Sequence, residues 1–178
     1  PELRSRAKAV NFGIVYGIGA YSLSQDIGVS VAEANSYIKA YLDKYSGVSR
    51  YMDKTVESAK KDGFVTTMFG RRRYIAEMAN SNKMVQALGK RIAMNTPIQG
   101  TAADIIKIAM IHVYKKLRDS GLRARLILQV HDELIVEAEE KDVPQVEKLL
   151  REEMENCVKL SVPLTVDVES GNTWFDTH

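Results

Sequence analysis

Two largely apolar runs rich in Leu, Ile and Val, Leu122–Val130 and Leu134–Ala138, are separated only by His131, Asp132 and Glu133. Three polar residues between such runs leave room for little but a tight antiparallel hairpin with an exposed turn. Almost everything upstream reads as helix. Leu3, Ala7, Val10, Ile14 and Ile18 fall at i+3/i+4 spacing, which predicts a helix over Leu3–Ile18 closed by Gly17 and Gly19. Ser30-Val31-Ala32-Glu33 is a capping box opening a helix to about Tyr45, and Ser49–Asp62 reads as a third helix stopped by Gly63. Phe64–Met68 and Arg72–Ile75 predict a short hairpin turning at Phe69-Gly70. From Lys83 to Arg118 the helical pattern returns, but Pro97 and Gly100 interrupt it, so two helices or a kink are expected. A helix over Asp142–Lys159 and a closing strand over Pro163–Glu169 complete an α+β reading without internal repeats.

Charge is divided along the chain. Residues 1–100 carry 15 Lys and Arg against 8 Asp and Glu, a balance of +7; residues 101–178 carry 10 against 15, a balance of −5. A basic half suits a polyanion such as nucleic acid or a nucleotide, and an acidic half suits metal ions. Hydrophobic residues at 45% and charged residues at 27% argue against disorder. The longest apolar stretch, near Ile105–Val113, is broken by Lys107 and His112 and falls short of the roughly 18–20 residues of a membrane span. Pro1-Glu2-Leu3-Arg4 has no signal-peptide layout, so the expectation is a soluble protein of the cytoplasm, with no membrane partner. The single cysteine, Cys157, excludes a disulfide framework and a cysteine-rich zinc site, and its Leu-rich helical setting reads as packing.

The first helix carries a second stripe. Arg4, Lys8, Phe12 and Tyr16 recur every four residues and wind slowly along about 18 Å. Arg4, Arg6 and Lys8 put three cations in the first two turns, where the helix dipole disfavours positive charge unless an anion rests there. Two cations followed by two aromatics suit a nucleoside triphosphate, with phosphates at one end and base and sugar at the other. Spacing alone leaves a second reading open, a surface helix whose aromatics complete the core.

Further along, Gly70-Arg71-Arg72-Arg73 is either a solvated turn or a phosphate contact, since guanidinium forks match phosphate oxygens. Asn95 and Gln99 sit four apart beside Pro97. Their amides are placed to donate to minor-groove acceptors that every correct base pair offers, or to satisfy backbone groups that the proline frees. At the hairpin, Asp132 and Glu133 are equally readable as ordinary turn residues.

These motifs together resemble DNA polymerase family A, the bacterial DNA polymerase I type. Arg4-Ser5-Arg6-Ala7-Lys8, with Asn11-Phe12-Gly13 and Tyr16-Gly17, is similar to the family's finger-helix motif; Arg91-Ile92-Ala93-Met94-Asn95-Thr96-Pro97-Ile98-Gln99-Gly100-Thr101-Ala102-Ala103-Asp104 is similar to a second signature, and Val130-His131-Asp132-Glu133 to the motif that binds catalytic magnesium. The motif order agrees. The resemblance implies that Arg4 and Lys8 hold the incoming dNTP, Phe12 packs on its sugar and Tyr16 stands at the templating position. A phenylalanine at that sugar position goes, in the family, with rejection of dideoxynucleotides. The resemblance further implies that Arg71, Arg72, Arg73, Arg91, Asn95 and Gln99 touch DNA and that His131 positions the primer end. Asp132 is the implied magnesium ligand, supported by Glu133, with Lys8 counted among the catalytic groups.

There are departures. Ser5 stands where the family commonly has an arginine, and Gln86, Gly89 and Lys90 depart from its arginine- and glutamate-bearing pattern. The family's Asp-Tyr-Ser-x-Ile-Glu motif does not occur in these 178 residues, and Asp167-Val168-Glu169-Ser170 differs in pattern and position. The expectation is therefore the C-terminal portion of a polymerase. Residues 1–80 would be mainly fingers and residues 81–178 the later half of an antiparallel-sheet palm, incomplete without an upstream palm and thumb portion, which would be its partner. Such an enzyme extends primer–template DNA with dNTPs using two Mg2+ ions, in the bacterial cytoplasm beside the nucleoid or as a phage protein in the host; alone, the chain is expected to be inactive. A phage-type RNA polymerase fragment and a non-catalytic nucleic-acid-binding module are the alternatives.

Overall fold

The computed structural model describes residues 2–177 and divides into two compact units, one up to Gln99 and one from Gly100 onward. The first unit begins with α1 (Glu2–Val15) and α2 (Ala20–Ile27), followed by α3 (Val31–Lys44) and α4 (Ser46–Asp62). The capping box forms as expected. The Glu33 backbone N–H donates to Ser30 Oγ, while the Ser30 N–H and hydroxyl donate to Glu33 Oε2 at 3.1 and 2.8 Å. These bonds, the backbone one foremost, hold the Glu33 carboxyl below its ordinary range. Helix α4 stops at Gly63, whose φ of 75° is the left-handed cap expected there.

Two small cores support this unit. Leu23, Ile27 and Ala34 are buried with Val10 and Ile18 against them; Ala59, Val65, Ile75 and Ala93 form the other. The second core holds the antiparallel hairpin of β1 (Phe64–Thr66) and β2 (Arg72–Tyr74), paired from Phe64 with Tyr74 to Thr66 with Arg72. A 3-10 turn at Ala76–Ala79 leads into α5 (Lys83–Ser120).

In the second unit Val113 and Leu117 of α5 pack with Val146, Leu149 and Leu150 of α6 (Val143–Glu155). Leu126, Leu134 and Val136 of the hairpin β3 (Ala124–Val130) and β4 (Glu133–Ala138) close over that core. The hairpin register runs from Ala124 with Ala138 to Val130 with Glu133, with a shift between Leu126 and Leu128. Cys157 is buried, as its setting led one to expect, and burial pushes its thiol up.

Several expectations are corrected. Helix α1 ends at Val15, and its apolar stripe seats only from Val10 onward, since Leu3 is 81% exposed and Ala7 is exposed as well. Helix α2 was not expected; it is an eight-residue amphipathic segment set between Gly19 and Gly28. Pro97 lies inside one continuous 38-residue helix and does not divide it in two. An interior proline costs about 3 kcal/mol, and here fully buried Ala93, packed in the second core, anchors the turn before it. The turn of the second hairpin has two residues rather than three, because Glu133 already pairs with Val130. Pro163–Glu169 forms no strand and joins no sheet. Helix α6 satisfies its backbone instead: Arg151 Nη1 donates to the Val166 carbonyl at 2.8 Å, and the Val166 N–H donates to Glu155 Oε1 at 3.0 Å.

Candidate functional site

The polar stripe of α1 survives folding as a surface. Arg4 and Lys8 are exposed, and Phe12 and Tyr16 keep 47% and 44% of their surface in solvent, so neither ring is spent on the core. The two rings stack with centroids 6.3 Å apart and planes 16° from parallel, and Lys8 Nζ stands 5.8 Å from the Phe12 centroid. Tyr16 lies just past the helix end, yet its N–H still donates to the Phe12 carbonyl at 2.9 Å, which preserves the fourfold spacing. Gly17 then turns the chain with φ of 76°; a Cβ there would come within 2.5 Å of Met94 Cε, so the end of α1 lies in close apposition to α5.

Arg6 is different. Its Nη2 donates to the Ile27 carbonyl at 2.7 Å, placing a cation at the C-terminal end of α2, where the helix dipole favours it. The three cations of the first turns thus separate into Arg4 and Lys8, which face solvent, and Arg6, which ties two helices together.

A cleft of about 400 Å³ gathers residues from three segments of the first unit: Tyr16 beyond α1, Arg73 of β2, and Leu88, Arg91, Ile92, Asn95, Thr96 and Gln99 of α5. Five of these, Tyr16, Arg73, Arg91, Asn95 and Gln99, are residues that the sequence singled out. Strand alternation separates the arginine run. Arg73 lines the cleft, whereas the Arg72 guanidinium lies 4.6 Å from the Phe64 ring centroid, beside the exposed Tyr74. Arg71 closes the hairpin, its N–H donating to Thr67 Oγ1 at 3.2 Å and its carbonyl accepting from the Thr67 N–H at 2.9 Å. Thr96 was missed by sequence reasoning. Its hydroxyl accepts from Arg73 Nη1 at 3.3 Å, a pairing over 23 residues that no local pattern announces.

In the second unit the β3–β4 turn presents His131, Asp132 and Glu133, all exposed. His131 has φ of 50° and is the one non-glycine residue with positive φ among the described residues. Gln129 Nε2 donates to the His131 carbonyl at 2.7 Å, bracing that turn from the strand below. Carboxylate oxygens of this kind suit a hard cation such as magnesium. Their number does not fill a coordination shell: among the described residues no three His, Cys, Asp or Glu side chains cluster to hold a metal ion. No helix among them is long and apolar enough to cross a membrane.

Residues 1–176 match the family described as DNA polymerase family A. The chain belongs to that family. Among particular relatives, it is 52% identical over 99% of its length to DNA polymerase I of Caldicellulosiruptor bescii, and 52% identical over 98% to DNA polymerase I of Bacillus subtilis. It spans about a fifth of these curated relatives, 21% and 20% of their respective lengths. Among solved structures, the POL domain of Pol1 from M. smegmatis, in complex with DNA primer-template and dNTP, superposes with a TM-score of 0.94 at 46% identity. That match covers 99% of this chain and 31% of the other.

Proposed function

We propose that this chain is the part of a DNA-templated DNA polymerase that receives the incoming dNTP, checks the nascent base pair and contributes one carboxylate cluster to the reacting centre. The observation that carries the reading is the cleft in which Tyr16, Arg73, Arg91, Asn95 and Gln99 meet, stacking, cationic and amide groups drawn from separate segments. In this reading residues 1–80 are mainly fingers and residues 81–178 the later palm.

Arg4 and Lys8 hold the triphosphate by charge-assisted hydrogen bonds. Phe12 packs on the sugar, and Tyr16 marks the templating position. Asn95 and Gln99 donate to purine N3 and pyrimidine O2, acceptors common to all correct pairs, and so test geometry without reading sequence. Arg71, Arg72, Arg73 and Arg91 neutralise the DNA backbone, and His131 positions the primer end. Asp132, supported by Glu133, is a ligand for Mg2+, with the remaining ligands coming from substrate phosphates and from a palm and thumb portion outside this chain. Magnesium, when bound, activates the primer 3′-hydroxyl and neutralises charge on the departing pyrophosphate. The place of work that follows is the cytoplasm, beside the genome being copied.

The test is primer extension by the full-length protein, offered dNTPs or NTPs. It should use dNTPs, lose extension in Asp132→Asn, and in Lys8→Ala require roughly ten- to a hundredfold more dNTP while DNA affinity changes far less. Extension from NTPs in preference to dNTPs, or an undiminished rate in Asp132→Asn, would overturn the assignment.

A further inference from the structure

We propose that Arg73 is a positioning residue: by donating to the Thr96 hydroxyl it fixes the stretch of α5 that carries Asn95 and Gln99, and through them sets how strictly the primer–template pair is checked. The inference deepens the proposed function and rests on it. Its origin is a weakness in α5. Pro97 has no N–H to give to the Ala93 carbonyl, so the helix lacks a rung at the turn that holds Asn95 and Thr96 and leads to Gln99. A helix without that rung needs ties from outside. Two neighbouring elements provide them: Tyr51 Oη of α4 donates to the Met94 carbonyl at 3.5 Å, and Arg73 Nη1 of β2 donates to Thr96 Oγ1 at 3.3 Å.

The second tie is the better shielded. Thr96 is only 8% exposed, and a hydrogen bond from a charged donor gains strength as water is excluded. Core packing on both sides sets where the arginine stands. Val65, the partner of Arg73 across the hairpin, and Ala93, one turn before Pro97, belong to one buried cluster. Strand and helix are therefore packed together, and the guanidinium spans them at the level of Asn95. Releasing it frees the turn that aims both amides, and the Arg72 guanidinium, set against the Phe64 ring, does not replace it.

A phosphate-binding arginine and a positioning arginine behave differently. Charge toward the DNA backbone, when removed, weakens DNA binding uniformly and lowers its salt dependence by about one ion; the tie to Thr96 acts through an uncharged hydroxyl, so the two contributions of Arg73 separate when Thr96 alone is changed. The experiment compares Arg73→Ala, Thr96→Val and Thr96→Ser in the full-length protein. It reads the ratio of extension from matched and mismatched primer ends, and DNA affinity against salt. Thr96→Val preserves shape and removes the acceptor, and it should lower the ratio by about two- to tenfold with the salt slope unchanged. Thr96→Ser, which restores the hydroxyl, should recover it. Arg73→Ala combined with Thr96→Val should lose no more of the ratio than Arg73→Ala alone.

A wild-type ratio in Thr96→Val, or equal losses in the Val and Ser variants, overturns the inference while leaving polymerase function standing. A full-length protein that extends no primer overturns both.

Discussion

Phe12 is held by its neighbours on α1 rather than by a core: Tyr16 stacks beyond it, Lys8 stands over it, and nearly half the ring meets solvent. A ring so placed is free to take a ligand's sugar against its face or edge. On the polymerase reading, a phenylalanine there leaves the site dependent on the nucleotide's own 3′-hydroxyl, and a tyrosine would supply a hydroxyl in its place. Phe12→Tyr in the full-length protein should therefore raise incorporation of dideoxynucleotides relative to dNTPs by about tenfold or more, the scale of one well-made hydrogen bond. Competitive incorporation measures it, and an unchanged ratio would remove Phe12 from the sugar site. Its place on a solvent-facing stripe was one of two readings that the fourfold spacing allowed, and the sugar contact came from the family resemblance alone. Thr96 was not legible in the sequence, since its partner lies on a different element.

Helix α5 approaches the Ala76–Ala79 turn so closely that a side chain at position 89 would push on its neighbours. A Cβ at Gly89 would stand 3.0 Å from both Glu77 Cβ and the Met78 backbone nitrogen, and 3.1 Å from the Glu77 carbonyl carbon. Alanine is the better helix former by about 1 kcal/mol, but displacing backbone costs about 1–3 kcal/mol, and the second effect wins. Gly89→Ala should lower the urea midpoint of the full-length protein with little change in the slope of the transition; a higher midpoint would show that the approach is looser than these distances. Elements with chemical punctuation could be read in advance: the Ser30–Glu33 box, the Gly63 cap and both hairpins announce themselves in a few residues. Elements decided by tertiary contacts could not. Short α2 is seated by Leu23 and Ile27 in a core shared with other helices, buried Ala93 packs the turn before Pro97, and Arg151 and Glu155 take the carbonyl and N–H of Val166.

At the scale of the whole molecule, the described residues supply more of the groups proposed for nucleotide and DNA recognition than of those proposed for metal binding. The cleft of the first unit is furnished on several sides, whereas the second unit offers Asp132 and Glu133 and, among the described residues, no cluster of three metal-binding side chains. Two magnesium ions take at least two carboxylates besides substrate oxygens. The 178-residue chain by itself should therefore bind DNA weakly, with affinity falling steeply as salt rises, and should not extend a primer. Primer extension with the purified chain, with and without the remaining portion of the full-length protein added in trans, is the measurement. Activity on mixing alone fits the reading, and extension by the chain alone would refute it. The expectation of an incomplete metal site came from the sequence, in which the acidic motif does not occur; the cleft could not be read there, since it exists only once Tyr16, Arg73 and α5 have been folded together.

The backbone at His131 bears on how this protein can be improved. A φ of 50° suits glycine and asparagine best; histidine tolerates it better than most side chains but still carries some strain. An engineer ranking substitutions at position 131 by heat resistance would be led toward glycine or asparagine and, on the polymerase reading, away from the side chain proposed to position the primer. On that reading, screens for toughness and screens for primer extension by the full-length protein would part company at this single residue.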